Sequence, residues 1–312
     1  MVKMTVLASG SRGNSTVVSS SRTRILVDVG LSCREIFKRM ATAGEDPRTL
    51  DAILITHEHQ DHVQGLAVTA RKLGIPVYFT EPTHRAWIRW MTPQKKMTYA
   101  DWLAARKAAA APVNPEIDDR EAFEEERVEL TAASEAESKP EKDPCALPGV
   151  EYFTAGRGFC VGDISVTPFT IPHDAADPVG FVFEAEGMRI GLATDLGYMP
   201  SNATRHLRKC DVLMLESNHD LDMLRDGPYP WSVKQRVMSR VGHLSNLAAA
   251  EFLETEYDGG AAYVVLAHLS ENNNLPELAR VSAERALRDR ANLLANKLLL
   301  ATQDAPLESI VL

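Results

Sequence analysis

Apolar residues in the first third of the chain fall in short blocks separated by polar turns. Lys3 to Ala8, Ser15 to Ser19 and Arg24 to Asp28 are such blocks, which predicts three strands. A helix is expected near Cys33 to Ala43, followed by an apolar strand at Ala52 to Thr56. After Asp61 the period changes: Val63, Leu66, Ala67, Ala70 and Leu73 recur at helical spacing. The polar stretch between that strand and that helix is therefore expected at the C-terminal edge of a strand.

The pattern breaks over residues 94–148, where Ala-, Glu- and Pro-rich text carries no broad apolar stripe. An insertion, partly disordered, is expected there within a single domain spanning residues 1–312. Beyond it, strands are predicted at Ser165 to Phe169, Val179 to Glu184, Arg189 to Thr194, Val212 to Leu215, Ala262 to Ala267 and Leu298 to Thr302. Helices are predicted at Ser232 to Val241, Ser245 to Tyr257 and Pro276 to Asp289. Strand-rich order punctuated by helices in both halves implies an α/β architecture, an αββα sandwich of two mixed sheets with outer helices.

Charge changes this picture in one respect. The formal net charge is −9, but twelve acids and four bases lie between Asn114 and Asp143, so the rest of the chain is nearly neutral and can carry local basic patches. Arg225, Lys234, Arg236, Arg240, Arg280, Arg285, Arg288 and Arg290 are candidate phosphate contacts or plain solvated helix charges. The four cysteines are far apart and form no C-x-x-C pair. No apolar run approaches the roughly 18 residues of a membrane span, and the N-terminal apolar block is too short for a secretory signal, so a cytoplasmic protein with no membrane association is expected.

The densest chemistry is THEHQDH, Thr56 to His62. Three imidazoles and two carboxylates in six residues are hard to bury as packing, because each would need its own polar partner. As metal ligands they make sense: in a tight loop His57 and His59 can face one cation while Asp61 and His62 turn toward a second.

This H-x-H-x-D-H motif resembles that of the metallo-β-lactamase superfamily, and the family's other motifs follow in order. They are Asp28 in RILVDVG, His173 in TIPHDAADP, Asp195 in GLATDLG and His268 in VVLAHLS. The resemblance implies two divalent ions, one held by His57, His59 and His173, the other by Asp61, His62 and His268, with Asp195 between them. Mixed His and carboxylate ligation suits Zn, Mn or Fe alike. It further implies hydrolysis by a hydroxide shared between the ions, with Asp61 a catalytic ligand. Asp28 is either a group that orients a ligand histidine or a strand-end turn residue.

An aspartate at position 195 argues against antibiotic hydrolysis, since the lactamases of this fold have a cysteine there. The spacing from Asp195 to His268 is too short for the inserted clamp of the β-CASP nucleases. GHLSNLAAAEFL followed by VVLAHLSENNN, together with LASGSRGNS and LESNHD, is similar to the tRNase Z-like and YycJ/WalJ-like branches, whose members are nucleases or related phosphodiesterases. His243 is then a phosphate contact or a proton donor to the leaving oxygen, or else a local capping histidine. Ser9, Ser11 and Asn14 in the glycine-rich loop, with His219 and Asn272, are candidate substrate contacts, although a Gly- and Ser-rich hairpin turn explains the loop equally. His84 and His206 are expected at the surface.

The sequence therefore points to a DNA phosphodiesterase or exonuclease, with RNA as an alternative substrate and an ester, lactone or thioester hydrolase as the competing chemistry. A metal-retaining regulatory protein is the reading from another class. The acidic insertion is either a repulsive gate or a docking segment for a protein partner. Oligomeric state is left open.

Overall fold

The apolar blocks pair into two seven-stranded mixed sheets in the computed structural model, which describes residues 1–92, 143–287 and 297–312 together with Leu103 and Arg106. The first sheet holds β1 (Lys3–Ala8), β2 (Ser15–Ser19), β3 (Arg24–Val27), β4 (Ala52–Leu54), β5 (Val77–Phe79), β6 (Val150–Tyr152) and the C-terminal β14 (Ile310–Val311), in the order β14-β1-β2-β3-β4-β5-β6. The second holds β7 (Phe159–Val161), β8 (Ile164–Thr170), β9 (Val179–Ala185), β10 (Met188–Ala193), β11 (Val212–Glu216), β12 (Tyr263–Ala267) and β13 (Lys297–Leu300), in the order β13-β12-β11-β10-β9-β8-β7. In each sheet one half is an antiparallel meander and the other is parallel: β3 to β6 in the first, β10 to β13 in the second.

Strands of the parallel halves read as unbroken apolar runs because both their faces are covered. In β11, Val212 and Met214 enter the core between the sheets, while Leu213 and Leu215 face the helices outside. Phe181 and Phe183 of β9 point inward beside Val6, Ile25 and Leu54 of the opposite sheet, and Val182 points out. The outer layer comprises α1 (Cys33–Thr42), α2 (Gln60–Val63), α3 (Leu66–Leu73), α4 (Glu81–Met91), α5 (Ser201–Leu207), α6 (Leu221–Asp226), α7 (Trp231–Val237), α8 (Asn246–Thr255) and α9 (Pro276–Leu287). Ser32 caps α1 and Ser245 caps α8, each accepting a backbone N–H of the first turn, and Gly74 closes α3 in the left-handed conformation.

The chain divides into two compact units, Met1–Trp90 with Cys145–Leu312 and, by itself, Met91–Pro144. Most of the insertion expected over 94–148 lies outside the described residues, as do Arg288 and Arg290. Cys145 to Pro148, placed in the insertion by composition, belong to the larger unit, where the Ala146 carbonyl accepts from Arg71.

Several elements carry no expectation from the sequence: β5, β6, β7 and β14 have two or three residues each, too few to show a period, and the short apolar patterns of α4, α5 and α6 are assigned to no element. His84 is corrected outright. It is buried, stacked against Phe79 and Trp87, and its Nδ1 bonds the Tyr152 hydroxyl at 2.8 Å. His206 is half-buried, its ring lying flat on Phe169. No helix among the described residues is long and apolar enough to cross a membrane.

Candidate metal centre

Both parallel halves end at one edge of the sandwich, where ligand-bearing loops of α/β sheets gather. Asp28 follows β3, the THEHQDH loop follows β4, His173 follows β8, Asp195 follows β10, Glu216 ends β11 and His268 follows β12. Backbone bonds lock these loops together: Asn14 N to Asp61 O at 2.7 Å, Val29 N to His62 O at 2.7 Å and Val179 N to Thr56 O at 3.1 Å. Gly30 is required here, because a Cβ on it would lie 1.7 Å from the Asp61 carbonyl oxygen.

The side chains converge in two groups. His57, His59 and His173 form one; Asp61, His62, Asp195 and His268 form the other, with the ligand atoms of each group within 4.8 Å of one another. In the first, His59 Nδ1 stands 3.1 Å from His57 Nε2 and 3.2 Å from His173 Nε2. Two of the remaining ring nitrogens are committed elsewhere, His57 Nδ1 to Thr56 Oγ1 at 3.0 Å and His173 Nδ1 to the Gly242 carbonyl at 3.1 Å. Three lone pairs thus face a common point.

The second group follows the same rule. His62 Nδ1 donates to Asp28 Oδ2 at 2.8 Å, and His268 Nδ1 donates to Glu216 Oε1 at 2.9 Å. Each leaves Nε2 facing Asp61, at 3.4 Å and 3.5 Å from Oδ2. His268 Nε2 and Asp195 Oδ2 are buried with no hydrogen-bond partner. Buried polar atoms rarely go unpaired, and lone pairs from two carboxylates and two imidazoles aimed at one point suit a divalent cation. Carboxylates behind ligand histidines, which fix ring orientation and tautomer, complete the pattern of a metal site.

Electrostatics separates the groups. Burial pushes His57 and His173 below the usual imidazole range, with neighbouring imidazoles adding to the effect. Burial also acts to lower His62 and His268, but Asp195, Asp61 and the carboxylates behind them outweigh it and hold both well above that range. One group is all imidazole; the other mixes imidazoles with carboxylates.

Asp195 joins the second group and not the first. A further cluster, Asp195, Glu216, His243 and His268, also has ligand-like proximity. It is better read as a hydrogen-bonded relay, since one oxygen of Glu216 accepts both His243 Nδ1 at 2.8 Å and His268 Nδ1 at 2.9 Å. The other oxygen accepts the Leu196 and Leu244 amides, so this fully buried carboxylate has four donors. Desolvation raises the His243 cost of ionising, yet Glu216 prevails and lifts its pKa.

A cavity of about 330 Å³ opens over the groups, lined on one side by Ser11, His59, Asp61, Asp195, His243 and His268, and on the other by Asp174, Val233 and Arg236. Of the expected substrate contacts only Ser11 lines it. Ser9 is buried and its hydroxyl accepts the His268 amide; Asn14 is buried, its amide reaching Asp61 and His62. His219 is buried behind the wall, and Asn272 bonds Tyr229 away from the cavity. None of these four lines the cavity; Ser9 and Asn14 hydrogen-bond residues of the ligand loops. Among the candidate bases, Arg236 lines the cavity on Asp174, Arg225 pairs with Asp222 and Asp226, and Lys234 is buried on the Arg225 carbonyl.

Two residues were missed. Thr56 links Asp28, His57 and His62 through its hydroxyl, and Glu216 links two histidines. An acid ending the apolar strand VLML was the available signal for Glu216.

Comparison with known proteins places the chain in a family. Residues 23–269 match the family model of the β-lactamase superfamily domain. The chain is 32% identical over 280 residues to exodeoxyribonuclease WalJ of Streptococcus pneumoniae, covering 90% of this chain and 86% of that one. It is 32% identical over 286 residues to exodeoxyribonuclease YycJ of Bacillus anthracis, covering 91% and 89%. The metallo-β-lactamase fold protein YhfI of Bacillus subtilis superposes with a TM-score of 0.59 at 15% identity, covering 98% of this chain and 99% of that one. The chain belongs to the β-lactamase superfamily, with the metallo-β-lactamase fold, in its WalJ/YycJ-like branch.

Proposed function

We propose that this protein is a binuclear metal-dependent phosphodiesterase that removes nucleotides from DNA ends, with RNA the alternative polymer, in the cytoplasm. The names of the two exodeoxyribonuclease relatives support the substrate class. The observation that carries the reading is His243. It faces the cavity, its ring centroid lies 5.2 Å from those of His173 and His268, and Glu216 takes its Nδ1.

In this reading His57, His59 and His173 would hold one divalent ion and Asp61, His62 and His268 the other, with Asp195, which the structure groups with the second set, as the expected shared ligand; Zn, Mn and Fe all suit these donors. Bound there, the ions supply Lewis acidity that makes water a nucleophile at neutral pH and offsets charge on phosphate oxygens. The protein's part is to aim and to move protons. Asp28 and Glu216 hold His62 and His268 with Nε2 toward the ions. Arg236, at the cavity wall, exchanges its Asp174 partner for a phosphate oxygen. His243, kept protonated by Glu216, gives the proton on its other nitrogen to the leaving sugar oxygen as the P–O bond breaks. The acidic insertion, expected over 94–148 and ending before Cys145, is a gate or a protein docking segment of this metallohydrolase.

His243→Ala tests the reading. It should retain metal and fold but lower DNA turnover by roughly 100-fold, with a much smaller loss on a nitrophenyl phosphodiester, whose leaving group needs no proton. Equal losses on both substrates would assign His243 to phosphate positioning; no loss on either would remove it from the chemistry.

A further inference from the structure

Ser9 to Asn14 connect β1 to β2 and lay a Gly- and Ser-rich turn against the ligand loops. Nearly every amide of that turn is engaged. Ser9 N–H donates to the Thr302 carbonyl at 3.1 Å, Gly10 N–H to Asn14 Oδ1 at 2.9 Å, Arg12 N–H to Gln303 Oε1 at 2.8 Å, Gly13 N–H to the Gly10 carbonyl at 3.1 Å and Asn14 N–H to the Asp61 carbonyl at 2.7 Å. Ser11 is the exception. Neither its N–H nor its hydroxyl has a partner among the described residues, and it is the residue of this turn that lines the cavity.

The C-terminal segment holds the turn in shape. Gln303, buried and 290 residues from Gly13 in sequence, accepts the Arg12 N–H with Oε1 and donates Nε2 to the Gly13 carbonyl at 3.0 Å. Gly10 packs so closely on it that a Cβ would lie 2.8 Å from Oε1. Gln303 is itself anchored, since its carbonyl accepts from Arg39 Nη1 at 2.7 Å and the same nitrogen reaches the Leu7 carbonyl at 3.0 Å. Arg12 adds ion pairs to Glu271 and Asp304. At the other end Asn14 Nδ2 donates to Asp61 Oδ2 at 3.1 Å, which registers the turn to a ligand group. The amides on both sides of Ser11 are thus tied down, and its own two donors are left over.

An N–H and a hydroxyl on one fixed residue of a metal-lined cavity have the chemistry of an anion subsite: hydrogen bonds to a phosphate oxygen are charge-assisted, and a turn held beforehand loses little entropy on binding. We propose that Ser11 is a phosphate-binding residue, its N–H and hydroxyl donating to a non-bridging oxygen of the substrate phosphate in the cavity, and that Gln303 is the positioning residue that holds it there. This rests on the phosphodiesterase reading above. Arg236 lines the opposite wall, so the phosphate is met by donors from two sides.

The test uses the metal-loaded full chain, with inorganic phosphate as the calorimetric probe and a nitrophenyl phosphodiester as substrate. Ser11 is exposed, so Ser11→Ala leaves the core untouched. It should weaken phosphate binding by about tenfold, the loss of one charge-assisted hydrogen bond, and raise KM for the diester in proportion while kcat stays within about threefold of wild type. Gln303→Glu keeps the shape and the acceptor for Arg12 but sets an oxygen against the Gly13 carbonyl. Amide hydrogen exchange over residues 9–14 should quicken in metal-loaded and metal-free protein alike, and phosphate affinity should fall by about fivefold or more. Wild-type phosphate affinity in Ser11→Ala, or a kcat loss without a change in affinity, would overturn the phosphate contact. Unchanged exchange in Gln303→Glu, or faster exchange with wild-type phosphate affinity, would overturn the positioning role. Failure of the underlying reading looks different: wild-type protein would neither bind phosphate nor cleave the diester, and the anion subsite would fall with it.

Discussion

Glu216→Gln replaces one acceptor oxygen, and the negative charge, of a buried side chain with four donors by a neutral NH2 donor. One carboxylate oxygen accepts His243 and His268, the other the Leu196 and Leu244 amides. Glutamine can accept on only one side. If its NH2 faces the imidazoles, both rings must become acceptors at Nδ1, and the proton moves to Nε2, where His268 should offer a lone pair to a cation. If its NH2 faces the backbone, two buried N–H donors lose their acceptor, at about 1–3 kcal/mol each. The first arrangement is the milder in folding terms and takes its toll on metal affinity, typically 10–100-fold for loss of such a supporting group, or ~1.4–2.7 kcal/mol. Competition with a graded set of chelators should show weakened binding in the group containing His268, with the imidazole group of His57, His59 and His173 little changed. Melting in excess metal reports the second arrangement. Wild-type metal affinity together with a wild-type melting temperature would refute the reasoning, because the structure leaves Glu216 no third arrangement.

Other perturbations address separate links. Gly30→Ala forces a Cβ against the Asp61 carbonyl and the Asn14 amide; overpacking against backbone should destabilise by about 3 kcal/mol or more and lower the melting temperature by roughly 5–10 °C, measured by thermal circular dichroism. Deleting residues 94–142, all but two of which lie outside the described set, and closing the gap with a short flexible linker should leave the domain folded and metal-bound, since loop length has a weak entropic effect; an insoluble or metal-free product would count against the insertion. Burial lowers the His219 pKa to about 4, with His243 adding to the effect. Unfolded His219 binds a proton near 6.5 and the folded one does not, so stability is full above about pH 6.5 and declines as pH falls toward 4, by up to about 3 kcal/mol. His219→Leu should flatten that slope in denaturant titrations at several pH values.

The sequence made the site legible where ligands are adjacent. His57, His59, Asp61 and His62 sit in one heptapeptide, and no packing argument competes with a metal for them. His173, Asp195 and His268 are single residues after strands and gain meaning only from their order. Glu216 belongs to the same class but lacked even that, because one acid at a strand end is ordinary until β10, β11 and β12 are aligned in register and bring Leu196, His243 and His268 around it. The substrate contacts were the least legible. Ser9, Asn14, His219 and Asn272 lie near the site in sequence or in space, but which way a side chain faces depends on tertiary contacts such as Ser9 with the His268 amide. The two- and three-residue strands escaped notice because their partners, not their own periodicity, define them.

Backbone conformation shows why these ligand positions had to be paired with particular residue types. Among the described residues five non-glycines have positive φ, and three of them are Asp28, Asp195 and His268, at 58°, 63° and 55°. Each follows a buried parallel strand whose side chains alternate between the inter-sheet core and the helix layer. A residue continuing that extended path would point into one of those apolar layers. Entering the left-handed region turns the chain at the strand end and re-aims the side chain along the edge where the ligand loops gather. Asp and His tolerate this conformation better than β-branched residues do. The strain is held by the surroundings: Asp28 by Thr56 and His62, His268 by Ser9, Asn218 and Glu216. The site is thus rigid before any cation or substrate arrives, and the energy for that rigidity comes from the two sheets whose edges it joins.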